Sequence, residues 1–338
     1  MDKPIKLAIV GATGAVGIEL LKVLEKRRFP IDKLCLFASS RSVGTEILFQ
    51  EKKHPIQALN EQAFEGMDIV IFSAGRKVAH EWASLALKSG AKVIDNSSAF
   101  RLDQDVPLII PEINPHALKD DHCLISSPNC SATIMLMAIA PLHRRFNIVR
   151  IVAATYQAAS GAGFQAMKEL KEETLAYLEN RSYNRTVMPH PYAFNLFPHN
   201  SPLEETGYVE EETKMLSETR KILNDDQIWI NATCVRVPVL RAHAEALNIT
   251  FSQPVLVEEA YDVLKAAPGL TILEDRKHNR FPMPSDATGQ DEVYCGRIRK
   301  DPSFPNTLDL WVVGDQLLKG AALNVIQIAE LLLRKKYE

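Results

Sequence analysis

The chain has no long hydrophobic run, no excess of one charge sign, no paired cysteine motif and no low-complexity tract or internal repeat. Its most apolar windows, such as Ile134 to Leu142, are about half the length a membrane span needs, so no membrane association is expected. Lysine and arginine number 39 against 42 aspartates and glutamates, a net charge of −3, which gives no reason to expect nucleic acid or an anionic lipid surface as partner. The five cysteines, at 35, 123, 130, 234 and 295, are odd in number and form no CxxC pair. That pattern speaks for a reducing compartment and against a disulfide framework or a metal site. The opening "MDKPIKLAIVGATG" lacks the build of a signal peptide, because its apolar segment runs straight into a glycine turn. A cytoplasmic protein is expected.

What is present is an ordinary globular composition, 46% hydrophobic and 24% charged, over 338 residues. That length is long for a single core and favours two domains. The runs "IKLAIV", "LCLFAS", "MDIVIFSAG", "AKVIDNSS" and "CLISSP" read as strands, interleaved with the helical patterns "IELLKVLEKRRF" and "HEWASLALKSG". Short apolar strands alternating with amphipathic helices indicate an α/β, doubly wound, mostly parallel sheet over residues 1–128. From Ile148 the texture changes. The β-prone "IVRIVAATYQAA" is followed by a charged helix, a Pro- and aromatic-rich loop "MPHPYAFNLFPHN", and a second helix ending in "ETKMLSETRKIL". Then "IWINATCVRVPVLRAHAEALNITF" alternates like long antiparallel strands, so residues 129–319 read as an α+β domain. The amphipathic "LLKGAALNVIQIAELLLRKKY" is expected to return residues 320–338 to the first domain.

Between the first strand and helix, "IKLAIVGATGAVGIELL" sets Gly11, Gly14 and Gly17 in GxxGxxG spacing, a variant of the dinucleotide fingerprint. Glycines permit a tight turn and close backbone approach to a pyrophosphate, while the helix start offers free N–H groups. Gly11, Thr13, Gly14, Ala15 and Val16 are the expected cofactor contacts. The second strand ends in "LFASSRSVG", without the acid that usually holds the ribose 2′-OH of NAD. Arg41 flanked by Ser40 and Ser42 suits a 2′-phosphate instead, so NADP is the expected cofactor.

In "LISSPNCSATIMLMAIAPL", Pro128 ends a strand, Asn129 is a good helix cap and an apolar helix follows. Cys130 therefore sits at a helix start, where the dipole and unpaired N–H groups favour a thiolate, at the carboxyl end of a parallel strand where such sheets bind ligands. Cys35, Cys123, Cys234 and Cys295 fall in β-prone runs and are expected as buried packing residues. A nucleophilic thiolate beside a nicotinamide cofactor points to thioester and thiohemiacetal chemistry joined by hydride transfer.

Taken in order, "GATGAVG", "FSAG", "NSSAFR", "SSPNCSAT", "YQAASGAG", "EETKM", "CVRVPVLRAH" and "DQLLKGAALNVIQIAE" resemble the aspartate-β-semialdehyde dehydrogenase family nearly end to end. The resemblance implies a Rossmann-type NADP-binding domain, a catalytic and dimerisation domain, and a homodimer. The implied reaction is reversible reductive dephosphorylation of L-4-aspartyl phosphate to L-aspartate 4-semialdehyde, on the branch leading to lysine, threonine and methionine. By resemblance Cys130 is the nucleophile, His243 the acid/base, and Gln157 positions the substrate near the thioester. Arg236 would bind the α-carboxylate, with Arg241 as its rival, and Glu211 the ammonium, a place Glu212 could also take. Lys214 and Arg101 would bind phosphate, Asn129 would also be a substrate-binding residue, and Ser160, Gly161 and Gln316 would approach the cofactor. Arg236 precedes His243 by seven residues, which on one extended chain puts them on opposite faces unless Pro238 or a bulge resets the register.

Three other readings compete. N-acetyl-γ-glutamyl-phosphate reductases share the chemistry, but their cysteine segment resembles "NPGC" rather than "SPNC", and they have less need of an ammonium-binding Glu211. A non-catalytic nucleotide-binding homologue would not need Cys130, Gln157, Arg236 and His243 together. A short-chain-type reductase would want a Tyr-x-x-x-Lys pair, which the first domain lacks.

Overall fold

The computed structural model describes residues 4–337. The chain divides into two compact units, Met1–Pro128 with Ala321–Glu338, and Asn129–Gly320. Positions 1–3 and 338 of the expected first domain lie outside the described residues.

The first unit runs β1 (Ile5–Val10), α1 (Ala15–Lys26), β2 (Ile31–Phe37), β3 (Glu46–Phe49), β4 (Lys52–Gln57), β5 (Ile69–Phe72), α2 (Arg76–Lys88), β6 (Lys92–Asp95) and β7 (Leu124–Ser126). Its sheet has the order β3-β4-β2-β1-β5-β6-β7, parallel throughout except for the edge strand β3. All four residues of β5 are buried, as expected for a parallel strand covered on both faces. The chain leaves β1 toward β2 on one side and returns to β5 on the other. The carboxyl end of β1 is therefore the switch point where such sheets open a ligand crevice. The hairpin β3–β4 has no counterpart in the sequence reading. It carries little apolar alternation, with Phe49 and Ile56 its buried anchors.

The second unit runs α3 (Cys130–Phe146), β8 (Ile148–Gln157), α4 (Phe164–Leu178), β9 (Phe197–Pro198), α5 (Glu210–Leu223), β10 (Trp229–Arg236), β11 (His243–Phe251), α6 (Val257–Lys265), β12 (Leu270–Ile272), α7 (Pro284–Ala287), β13 (Val293–Lys300) and β14 (Thr307–Gly314). Its mixed sheet has the order β12-β13-β14-β11-β8-β10-β9. The run expected as long antiparallel strands is split around β8, with β10 parallel to β8 and β11 antiparallel to it. Alternation carries no information about which strand lies next to which.

Helices α3 and α5 pack on one face of this sheet. Helix α3 buries almost every residue from Ser131 to Leu142, which explains a run that is apolar all round. The opposite face stays open around β8 and β10, where Arg150, Tyr156, Trp229, Asn231 and Thr233 are exposed. The last helix, α8 (Leu323–Tyr337), belongs with the first unit. Its Glu330 accepts two hydrogen bonds from the Arg27 guanidinium (2.6 and 2.7 Å), and Asn324 donates to Ile109 O (3.0 Å). Among the described residues no helix is long and apolar enough to cross a membrane.

Of the four cysteines expected as buried packing residues, Cys35, Cys234 and Cys295 are buried. Cys123 is exposed: it falls in the turn before β7, with Lys92 Nζ 3.5 Å from its sulfur.

Candidate active site

Asn129 organises the start of α3. Its Oδ1 accepts from the backbone N–H of Ser131 (2.9 Å) and Ala132 (3.2 Å), two of the donors a helix start leaves open. Its Nδ2 donates to Glu211 Oε1 (2.9 Å), its own N–H donates to Glu218 Oε2 (2.5 Å), and the Thr133 hydroxyl donates to its carbonyl (2.9 Å). Glu211 and Glu218 are two turns apart on α5, so one face of that helix grips both sides of Asn129. Cys130 is the first residue of α3, and no acidic side chain lies in the first turn.

Three neighbouring strands bring the other candidates to one edge of the sheet. Gln157 ends β8, Arg236 ends β10 directly opposite it, and His243 begins β11, which runs the other way. The seven-residue spacing from Arg236 to His243 thus spans the sheet edge, with β8 between them, and needs no bulge. Gln157 Nε2 donates to Ser131 Oγ (2.5 Å) and to Glu211 Oε1 (3.2 Å). Arg236 donates from Nη1 to Ala158 O (3.3 Å) and from Nε to Asn200 Oδ1 (3.4 Å). Arg241 is engaged elsewhere, with its Nε donating to the buried Asp315 Oδ2 (2.7 Å). Glu212 also turns away, accepting from the N–H groups of Val209 (3.0 Å) and Cys234 (2.9 Å). Lys214 Nζ lies 3.1 Å from Glu210 and 3.9 Å from Glu211.

His243 is fully buried. Its Nδ1 accepts from the Ala158 N–H (3.0 Å), which assigns the ring proton to Nε2, an atom with no acceptor among the described residues. Burial, reinforced by the Arg236 charge, holds the imidazole down at about 3, so it is a neutral donor at physiological pH. Burial by itself would raise the Glu211 carboxyl. The neighbouring His199, Asn129, Lys214 and Gln157 outweigh it, and Glu211 stays below the usual carboxylate range.

Gly161 lies across the Arg236–His243 pair: a methyl group placed on it would come within 3.0 Å of Arg236 Nη1 and His243 Nε2. Ser160 and Gln316 back this turn. Gln316 Nε2 donates to Ser160 Oγ, and its Oε1 accepts from the Ala242 N–H (2.9 Å). Ala242, just before His243, holds a left-handed φ of 71°, a strained conformation for a residue with a Cβ. Gly320 abuts Cys130, and a methyl there would meet the Cys130 Cβ at 2.8 Å.

In the first unit, the Arg101 fork follows β6 and donates to two backbone carbonyls, Ser127 O (2.9 Å) and Asn96 O (3.0 Å). The dinucleotide fingerprint has the geometry a pyrophosphate needs. Gly11 takes φ 91°, and a Cβ on it would stand 2.5 Å from Ser73 O at the end of β5. Gly14 caps α1 without any side-chain bond, and no acid lies in the first turn. A helix start of this kind, uncapped by any side chain, is suited to an anion. Thr13 Oγ1 lies 3.3 Å from Ser42 Oγ, which joins this turn to the short helical turn Ser40–Ser42 after β2. Arg41, on that turn, is exposed. The residues fit a dinucleotide.

His199 belongs to this constellation and was not singled out from sequence, where it is one of nine histidines in a proline-rich loop. Its charge environment is set by burial and then by Arg236, Glu211 and Lys214.

Comparison with known proteins agrees with this geometry. Residues 6–121 match the family described as semialdehyde dehydrogenase, NAD binding domain, and residues 139–319 the one described as semialdehyde dehydrogenase, dimerisation domain. The chain is 54% identical to aspartate-semialdehyde dehydrogenase of a Synechocystis species, over 99% of both chains. It is 48% identical to that of Aquifex aeolicus, over 98% of both. Aspartate semialdehyde dehydrogenase II of Vibrio cholerae, solved in complex with ASA, superposes with a TM-score of 0.95 at 41% identity, covering 98% of this chain and 99% of that one. Matched in both of its domains by family and over nearly its whole length by these relatives, the chain belongs to the aspartate-semialdehyde dehydrogenase family of oxidoreductases.

Proposed function

We propose that the chain interconverts L-4-aspartyl phosphate and L-aspartate 4-semialdehyde through a thioester on Cys130, using NADP, in the cytoplasm. The product feeds the branch leading to lysine, threonine and methionine. Residues 1–128 and 320–338 form the NADP-binding domain, and residues 129–319 the catalytic and dimerisation domain. The observation that carries this reading is the Asn129 hub, which fixes Cys130 at a capped helix start while Glu211 ties it to Gln157.

In the biosynthetic direction the Cys130 thiolate, favoured by the first turn of α3, attacks the acyl carbonyl of the aspartyl phosphate. Lys214 and Arg101 take the charge that develops on the departing phosphate. Arg236 holds the α-carboxylate and Glu211 the ammonium, so the β-carbonyl meets the sulfur in one orientation. The nicotinamide of a bound NADPH supplies the hydride that reduces the thioester. Gly11, Thr13, Gly14, Ala15 and Val16 would hold its pyrophosphate side, Ser40, Arg41 and Ser42 the 2′-phosphate, and Ser160 and Gly161, backed by Gln316, its reactive end. His243 donates a hydrogen bond from its Nε2–H to the tetrahedral oxyanion, whose collapse releases the aldehyde and the thiolate. Its Nδ1, engaged by Ala158, prevents the opposite tautomer.

Two copies pair through the open face of the second sheet, around Tyr156 and Trp229. The matched dimerisation domain and the exposure of those rings support this arrangement.

The test is phosphate-dependent NADP reduction with aspartate semialdehyde, run beside N-acetylglutamate semialdehyde. The wild type is expected to use the first and ignore the second, and Cys130→Ala to bind NADP but turn nothing over. Near-normal turnover by Cys130→Ala would overturn the thioester reading.

A further inference from the structure

The loop 188–200 ends in a short edge strand. Phe197 and Pro198 pair with Arg236 and Val235, and the next N–H, that of His199, donates to Cys234 O (2.8 Å). The alternation of an antiparallel pair therefore sets His199 on the sheet face that carries Cys234 and Arg236. Only 8% of His199 is exposed.

Both donors of Ser201 meet the ring at Nδ1: the backbone N–H at 3.2 Å and the hydroxyl at 3.0 Å. The hydroxyl oxygen itself accepts from the Glu211 N–H (3.1 Å), which frees its proton for the imidazole. A ring nitrogen that receives two donors is the acceptor, so the proton of the neutral ring lies on Nε2. Nε2 is buried and has no protein acceptor. Burial and the Arg236 charge hold this ring down at about 4, so it offers an N–H without adding a second cation.

Arg236 lies on the same face, with Nε and Nη1 directed at Asn200 and Ala158. A buried donor without an acceptor persists where a ligand completes it. A carboxylate, with two oxygens and about four lone-pair sites, can satisfy both groups. The hydroxyl of Tyr192, in the same loop, is also buried without a partner.

We infer that His199 is a substrate-binding residue, donating its Nε2–H to the α-carboxylate held by Arg236. The inference rests on the aspartate-semialdehyde site proposed above and adds a neutral donor to it.

The experiment compares kcat/KM for aspartate semialdehyde and for 3-aminopropanal, which lacks the α-carboxylate, in the wild type, His199→Phe, His199→Gln and Arg236→Lys. His199→Phe is expected to lose about 10- to 100-fold on aspartate semialdehyde, mostly in KM, and to keep its rate on 3-aminopropanal. His199→Gln, which restores a neutral N–H, recovers most of that loss. Equal losses on both substrates, or no loss on either, overturn the assignment. If Arg236→Lys erases the preference for the carboxylated substrate and His199→Phe keeps it, only the role of His199 falls. If neither variant changes the preference, the site reading falls with it. Should His199→Phe not fold, the imidazole Nε2–H proton resonance of His199 is followed in Cys130→Ala, which binds without turnover. A shift with aspartate semialdehyde and none with 3-aminopropanal is expected, and no shift with either overturns the proposal.

Discussion

Gly320 and Cys130 lie so close that a single added methyl on the glycine would stand 2.8 Å from the cysteine Cβ and 3.2 Å from its Cα. The close neighbour is the nucleophile's Cβ, which is bonded directly to the backbone and cannot swing aside as the end of a flexible side chain would. Gly320→Ala should therefore displace Cys130 and lower kcat about 100-fold, the cost of misplacing a reacting group by about 1 Å. NADP affinity, measured by fluorescence titration, should stay within a factor of two.

The neutral state of His243 has a stability consequence. In the unfolded chain its imidazole takes up a proton near its ordinary value of 6.5, whereas in the fold burial and Arg236 hold it at about 3. Between those values the unfolded state binds more protons, so this group makes stability rise with pH and costs stability as pH falls from 6.5 toward 3. His243→Gln should flatten that part of the curve in urea melts from pH 4 to 7. An unchanged slope contradicts the buried neutral ring.

Glu245 shows the opposite sign. It lies two residues along β11 from His243, fully buried, with no partner for either carboxyl oxygen among the described residues, and burial raises it well above its ordinary 4.5. Above pH 4.5 the folded state retains a proton that the unfolded state releases. Stability therefore falls as pH rises toward the folded value, by about 1.4 kcal/mol per pH unit within that window. Glu245→Gln keeps the shape without the charge and should raise the melting temperature at pH 8 more than at pH 5.

Arg41 stands beside the serines of the turn that follows β2, with no acid at the end of that strand. Arg41→Ala should raise KM for NADP about 10- to 100-fold while leaving KM for NAD nearly unchanged, measured by initial rates. Equal effects on both cofactors would remove Arg41 from the 2′-phosphate.

The rings of Tyr156 and Trp311 stand 5.5 Å apart, and Trp229 is 72% exposed on the same side of the sheet. Placing a charge there, as in Tyr156→Asp, should convert dimers to monomers in light scattering without changing the circular dichroism spectrum.

The parts of this molecule that follow local rules were readable in the sequence. Gly11, the β1–α1 turn and the Asn129 cap before Cys130 all depend on neighbours a few residues apart. The pairing of Arg236 with His243 does not, because strand order decides it and alternation constrains only the face. Cys123 escaped for a related reason: an apolar run does not mark where the strand begins, and one residue separates a buried sulfur from an exposed one. His199 left no sequence signal, since its environment comes from Ser201, Glu211 and Arg236 together. That Glu211 faces Asn129 while Glu212 accepts from Val209 and Cys234 depends on how α5 is rotated against the sheet, which adjacent residues in the sequence do not reveal.

The edge that carries Gln157, Arg236 and His243 also sets a timetable for folding. The contacts that hold it join residues far apart in the chain, 78 positions from Ala158 to Arg236 and 85 from Ala158 to His243. Contacts of that range form late, after loop closure has been overcome. Helices such as α3 and α5 can therefore gain structure while the chain is still inactive, and recovery of activity after dilution from denaturant should lag recovery of helical signal. The cap at the start of α3 is set by immediate neighbours, but the groups that give the nucleophile a substrate arrive only when the last strands close the sheet.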